Sequence, residues 1–305
     1  MSQPAAAAPT QPSRGLLAPA WRGVAIALAI LVALLWSYWP TLVRLFGDWQ
    51  DDDNYSVGQL VPLAALYLLW HDRSLLRTCS LKPCWWGVVV ILFAQVVRGY
   101  GLLFLFGSAE RYSLILTIAG LVLLICGWGV LRRVQWILLF LFLMAPLPGQ
   151  IHNRISGPLQ TLATAGAVFL LEMVGVPVAR DGNVIVLHQA TPIAVAEACS
   201  GLRMLTAFVV VGSVLAYLVN RPFWQKVVLT VSTIPVAIVC NLIRLVVTAM
   251  LFLSTDSATA EWFFHDFAGW TMMPMAFAFL AAELWLLARL VVTDSDPTTP
   301  ARQLA

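Results

Sequence analysis

The sequence predicts an all-α polytopic membrane protein of about eight transmembrane helices, with a small extracytoplasmic β-hairpin and an amphipathic helix. Three observations carry that prediction. Of 305 residues, 60% are hydrophobic and 11% charged, and mean hydropathy is +0.85. A soluble domain carries about 25% charged residues, so this chain cannot cover its surface with polar groups in water. The apolar residues also fall into long runs, and Lys and Arg gather in alternate connections between those runs.

A bilayer core of about 30 Å takes about 20 mainly apolar residues per helix. Residues 1–22, rich in Ala and Pro, lack a continuous apolar core and read as a disordered cytoplasmic N-terminus. Span one runs from Gly23 to Trp39 and stops at Pro40. It is long for a signal-peptide core and has no small-residue cleavage site after it, so it reads as an uncleaved anchor. Span two covers Val57 to Trp70, and span three covers Trp85 to Phe106 with Arg98 inside. Span four covers Tyr112 to Val130, and span five Val134 to Leu147, ended by Pro146 and Pro148. A more polar segment, 149–200, comes next. Spans six to eight cover Leu202–Val219, Val227–Leu253 and Phe267–Val291. One transmembrane domain over 23–292 results, followed by a short cytoplasmic tail, 293–305.

Short cytoplasmic loops carry the excess of Lys and Arg. Arg14 and Arg22 precede span one. Arg73, Arg77 and Lys82 follow span two, Arg132 and Arg133 follow span four, and Arg221 and Lys226 follow span six. Asp48, Asp51, Asp52, Asp53, Glu110, Asp256, Glu261 and Asp266 occupy the opposite loops. Both termini are therefore expected in the cytoplasm, with 149–200 on the outer face. Arg111, Arg154 and Arg180 count against this scheme. Within 149–200, apolar residues at helical spacing from Ile155 to Val174 predict the amphipathic helix. Val184–Leu187 and Ile193–Val195, flanking a Thr-Pro, predict the hairpin. Trp residues near span ends (Trp21, Trp39, Trp70, Trp85, Trp270) read as an aromatic belt.

Net charge is +3, with Lys and Arg thinly spread, so no nucleic-acid partner is indicated. Five cysteines (Cys79, Cys84, Cys126, Cys199, Cys240) among apolar segments form no disulfide framework. No His and carboxylate cluster has ligand spacing, so neither a metal nor another cofactor is expected.

Three polar blocks meet the membrane on the predicted outer side. They are Glu197-Ala198-Cys199-Ser200-Gly201-Leu202-Arg203, then Asn241-Leu242-Ile243-Arg244, then His265-Asp266 with Gly269-Trp270. An intramembrane Arg is costly and by default marks a functional site. A Cys at a helix start, near Arg, is biased toward thiolate, the nucleophilic form. A His beside it exchanges protons near neutral pH. Cys199, His265 and Arg244 together read as cysteine acyl-transfer chemistry, with Arg244 holding a thiolate or an oxyanion. Singly each has a plainer reading: Cys199 as packing, His265 as an interface residue, Arg203 as the counter-ion of Glu197. Cys240 reads as packing.

These blocks resemble the exosortases, bacterial relatives of archaeosortases that process PEP-CTERM-type sorting signals. The Cys199-Ser200-Gly201-Leu202-Arg203 run is the specific part. Met144-Ala145-Pro146-Leu147-Pro148 and Gly175-Val176-Pro177-Val178 are also similar to family segments upstream of the Cys. The resemblance covers about 140–275. It implies a Cys-Arg-His transpeptidase with Cys199 as nucleophile, Arg244 as catalytic arginine and His265 at the family's His position. Glu197, Arg203, Asn241 and Asp266 stand as supporting residues. The implied partners are the lipid bilayer and exported proteins bearing a C-terminal sorting motif, a transmembrane helix and a basic tail. A plain cysteine protease is the nearest alternative. A transporter using Arg98, Arg203 and Arg244, or a scaffold of a polysaccharide-export system, is the non-enzyme alternative.

Overall fold

The computed structural model describes residues 20–187, 191–194, 201–219, 221–254 and 268–290. The expected disordered N-terminus, apart from its last residues, and the expected tail 293–305 lie outside them. The chain divides into two units, residues 1–43 and 44–305, each described by itself.

The first unit holds most of α1 (Ala20–Asp51). Leu28, Leu31, Val32, Leu35, Trp36 and Trp39 are exposed along it. So continuous an apolar surface on a soluble protein would be a binding patch, and on a spanning helix it is the lipid-facing side. Pro40 sits inside α1 without ending it, although the sequence reading stops span one there.

In the second unit a 3-10 turn (Asp53–Gln59) leads into α2 (Leu60–His71) and the short α3 (Arg73–Arg77). α4 (Trp86–Leu103) and α5 (Gly107–Ile125) form the most extensive helix pairing among the described residues. Glycine permits that approach: a Cβ at Gly87 would stand 2.5 Å from the Leu124 backbone nitrogen, and one at Gly120 2.7 Å from Ile91 Cγ1. Small residues at such crossings are how helices associate where lipid removes the hydrophobic drive. Gln95 on α4 also donates to Thr117 Oγ1 on α5 at 3.3 Å.

α6 (Trp128–Leu141) runs through a 3-10 turn (Phe142–Met144) into α7 (Gly149–Met173), bent by 78° from it. Pro146 and Pro148 cannot continue a helix here, and Pro148 caps α7. α7 covers the predicted amphipathic stretch and starts six residues earlier than Ile155. It buries Ser156, Ala163, Thr164, Ala167 and Leu171, a stripe at three- and four-residue spacing. Strands β1 (Val178–Asp181), β2 (Val184–Leu187) and β3 (Thr191–Ala194) then form an antiparallel sheet in the order β1-β2-β3. The sheet has one strand more than the two read from the sequence. Ile185 of β2 is buried with Ala163, Ala167 and Leu171 of α7 and Leu245 and Ala249 of α9.

α8 (Leu202–Leu218), α9 (Phe223–Ser254) and α10 (Ala268–Leu290) complete the chain. Met204, Ala207 and Phe208 of α8 pack on Ala237 and Cys240 of α9, and Val57 of the first 3-10 turn joins them. Leu229 of α9 and Leu280 of α10 bury Ala216 of α8. Ser232 of α9 donates to Glu283 of α10 at 2.6 Å, which gives an apolar-helix carboxylate the partner it needs.

Helices occupy all eight predicted spans. By length and apolarity, four among the described residues are fit to cross a membrane, and five if the bent α6–α7 pair is one span. α2, α6 and α8, at 12, 14 and 17 residues, and the apolar part of α10, Phe277–Leu286, are shorter than a span requires, so the expected count of eight is not reached on that measure.

The two ends of the second unit differ in charge. At one, Arg133 donates to the Leu75 carbonyl at 2.9 Å, Tyr217 donates to Asp72, and Lys226 donates to the Tyr217 carbonyl at 3.4 Å. This gathers the loops holding Arg73, Arg77, Arg132, Arg133, Arg221 and Lys226. At the other, Arg44 pairs with Glu110 and Arg111 with Asp48. Arg111, which counted against the charge scheme, is thus neutralised locally.

Candidate functional site

The Asn241–Arg244 block lies in the interior of α9. Both residues are buried, and Arg244 Nη2 donates to Asn241 Oδ1 at 3.1 Å. The two are three residues apart, one helical turn, so they share a face. That face looks toward the start of α8. Gly201 caps α8 with φ +79, and a Cβ there would stand 3.1 Å from Asn241 Nδ2. Glycine is required twice over, because the left-handed backbone disfavours any side chain and the amide leaves no room for one. The Cys-Ser-Gly-Leu-Arg run and the Asn-x-x-Arg run, some forty positions apart in sequence, therefore meet at Gly201 and Asn241. A crevice at this meeting is lined by Leu159 and Ala163 of α7, Gly201 and Leu205 of α8, and Ala237 and Asn241 of α9.

Arg203 lies in the first turn of α8, half-buried, and its carbonyl accepts from Thr206 Oγ1 at 2.9 Å. Glu197, Cys199, His265 and Asp266 lie outside the described residues. The expected Glu197–Arg203 pairing lies outside them with Glu197. In chain position, Cys199 is two residues before Gly201 and His265 three before α10.

Cys79, Cys126 and Cys240 have packing environments. Cys240 is fully buried between α8 and α9, as expected. Cys126 packs with Val130, Val134 and Leu138 of α6. Among the described residues no group of three or more His, Cys, Asp or Glu has the arrangement of a metal site.

Around the crevice are polar ties that the sequence does not announce. Tyr55 and His152, 97 positions apart, are hydrogen-bonded at 2.6 Å. Gln160 on α7 accepts from Asn183 Nδ2 at 2.9 Å, which pins the β1–β2 turn to the helix. Thr206 Oγ1 reaches the Asn54 carbonyl at 3.3 Å. The Met144–Pro148 turn is held by Trp49 Nε1 on the Met144 carbonyl, at 2.9 Å, and Ser108 Oγ on the Pro146 carbonyl, at 3.3 Å. Such partners are made by tertiary folding, and no local spacing foretells them.

A helical, polytopic chain that buries an Asn–Arg pair against the start of a neighbouring helix defines a class: integral membrane proteins with a polar site between spans. The particular family follows from comparison. The model of the transmembrane exosortase family matches residues 49–282, a stretch that includes all three polar blocks, and the chain belongs to that family. No curated protein and no solved structure matches it.

Proposed function

We propose that this chain is a membrane cysteine transpeptidase that cleaves C-terminal sorting signals of exported proteins, with the substrate features the sequence resemblance implies. The observation carrying this reading is the meeting of Gly201 with Asn241, because it joins the backbone two residues beyond Cys199 to the buried Arg244. In the proposed reaction the Cys199 thiolate attacks a backbone carbonyl near the sorting motif. Arg244 stabilises the tetrahedral oxyanion, with Asn241 holding the guanidinium in place. Collapse breaks the C–N bond, and His265 gives the leaving amine its proton. The substrate's N-terminal part stays on Cys199 as a thioester. His265 then takes a proton from an acceptor amine or hydroxyl, which attacks the thioester. The C–S bond breaks and sulfur leaves as the thiolate, so the starting Cys199 thiolate and protonated His265 are restored. Glu197, Arg203 and Asp266 are assigned supporting roles. On this reading the site faces the periplasm from the inner membrane and both termini are cytoplasmic; the Lys and Arg gathered at the opposite end of the unit support that orientation.

The test is processing of a tagged exported protein carrying such a C-terminus. Cys199→Ala should abolish processing with the protein still inserted, while Cys126→Ala and Cys240→Ala retain it. Equal loss in all three would mean packing rather than chemistry. Normal processing by Cys199→Ala would favour a scaffold or transporter. Mass spectrometry of the new C-terminus separates transfer from hydrolysis, because a free carboxylate there would make water the acceptor.

A further inference from the structure

The loops at the end that bears most of the Lys and Arg pack into one layer. Leu76 of α3, Cys79 just beyond it and Cys126 after α5 all pack on Val130, Val134 and Leu138 of α6. The Lys82 amide donates to the Cys126 carbonyl at 3.3 Å, and Gly127 lies so close to the Lys82 carbonyl that no Cβ would fit. Arg133 Nη1 donates to the Leu75 carbonyl at 2.9 Å. Trp136 of α6 meets Phe223 at the start of α9, with ring centroids 6.2 Å apart. Three connections distant in sequence are thereby folded against one another.

The charge of this layer is not cancelled. Segments 69–86, 125–136 and 217–226 hold seven Lys and Arg and a single carboxylate, Asp72, which accepts from Tyr217. Among the described residues none of the seven is in an ion pair, whereas at the opposite end Arg44 and Arg111 are matched to Glu110 and Asp48. Arg73, Arg77, Lys82, Arg132 and Arg133 are exposed. Arg73 stands over the Trp70 ring, its Cζ 4.2 Å from the centroid, and Arg132 over Trp128 at 5.5 Å. Trp70, Leu81, Trp85, Trp86 and Trp128 add exposed apolar surface on the same segments. Aromatic belts sit at headgroup depth, so guanidiniums stacked on them stand at the level of the lipid phosphates. Topology alone asks only for charge in these loops. It does not ask that they be folded together, with their cations unmatched above an aromatic collar.

We propose that this layer is a docking surface for anionic phospholipids, with Arg77, Lys82 and Arg132 holding the headgroup phosphates and the exposed Trp collar lying along the acyl chains. Guanidinium and ammonium groups match phosphate oxygens in charge and in donors. Each cation close to an anionic leaflet strengthens partitioning about fivefold. The exposed Trp and Leu side chains commit the surface to a lipid, because a free phosphate has nothing to lay against them. Lipid docking here needs neither the Cys199 chemistry nor a choice of leaflet.

The test incubates the full chain in detergent micelles with equal amounts of phosphatidylglycerol and phosphatidylcholine and counts the retained lipids by native mass spectrometry. Wild type should prefer phosphatidylglycerol by about fivefold or more, and the preference should shrink when incubation is at high salt. The triple variant Arg77→Gln/Lys82→Gln/Arg132→Gln should lose most of it. Arg73 and Arg133, which hold backbone carbonyls, are left in place so that the layer stays folded. Arg77→Lys/Arg132→Lys, which keeps the charge, should keep most of the preference. So should Arg154→Gln/Arg180→Gln, at exposed positions outside the layer. Equal retention of the two lipids by wild type would overturn the proposal and leave these charges a topological role alone. An undiminished preference in the triple Gln variant would overturn it too, as would an equal drop in Arg154→Gln/Arg180→Gln, which would make net charge the cause. Displacement of phosphatidylglycerol by inorganic phosphate, but not by chloride at equal ionic strength, would replace the lipid with a soluble phosphate.

Discussion

Arg244 shows what a single residue contributes. A guanidinium held by Asn241 presents its donors in a fixed plane, which an ammonium cannot imitate. In the proposed reaction, loss of an oxyanion donor costs about a hundred- to a thousandfold in rate. Arg244→Lys is therefore expected to be impaired on that scale at normal membrane levels. Arg203→Lys should stay within a few-fold. Quantified processing by both variants checks this, and near-normal turnover by Arg244→Lys would remove Arg244 from the site. Gly201→Ala makes a sharper demand. The added methyl needs a left-handed residue to accept a Cβ, at a cost of about 1 kcal/mol, and it presses on Asn241 Nδ2. Its expected signature is lost processing in a protein that still inserts, and full activity would mean that the Gly201–Asn241 contact is idle. Much of this was legible in the sequence: a charge inside an apolar run declares itself by its cost, which singled out Asn241 and Arg244. Tyr55 and His152 were not legible, because a bond between residues 97 apart leaves no periodic trace.

Among the elements, hydropathy located each apolar helix but not its ends. The sequence reading stops span one at Pro40, whereas α1 continues to Asp51. One proline is tolerated inside a membrane helix when neighbours satisfy the freed carbonyl. α7 starts before its apolar periodicity does, because Pro148 sets its first turn. β1 went unseen for a different reason. Val178-Ala179-Arg180-Asp181 has neither alternation nor β-branched density, and it becomes a strand through its pairing with β2. The α4–α5 crossing yields a prediction at this scale. Gly87→Ile places a branched side chain where even a Cβ would lie 2.5 Å from the Leu124 backbone, so the helices must part. Overpacking of this kind typically costs about 1–3 kcal/mol, or more where backbone is the obstacle. Thermal unfolding in detergent should show a clearly lowered midpoint, with Gly99→Ile, where nothing lies within 4 Å, close to wild type. Equal midpoints would argue against the close crossing.

At the largest scale, the second unit is organised by the contrast between its ends. Loops rich in Lys and Arg are gathered by Arg133–Leu75 and Tyr217–Asp72, while at the other end Arg44–Glu110 and Arg111–Asp48 neutralise one another. The gathered end is expected in the cytoplasm, which puts the sheet and the start of α8 outside. A membrane-impermeant thiol reagent applied from the periplasm should label an engineered Asp181→Cys and spare Ser74→Cys, both at exposed positions. The reverse pattern would invert the topology and move the site to the cytoplasmic face. The central claim is that Cys199 carries the substrate as a thioester beside Arg244, and trapping that adduct tests it most directly. Substrate stalled on the protein should give a hydroxylamine-sensitive covalent species, mapped by mass spectrometry to Cys199 and accumulating least in Arg244→Lys. An adduct that persists in Cys199→Ala, or processing that proceeds without any hydroxylamine-sensitive species, would contradict it.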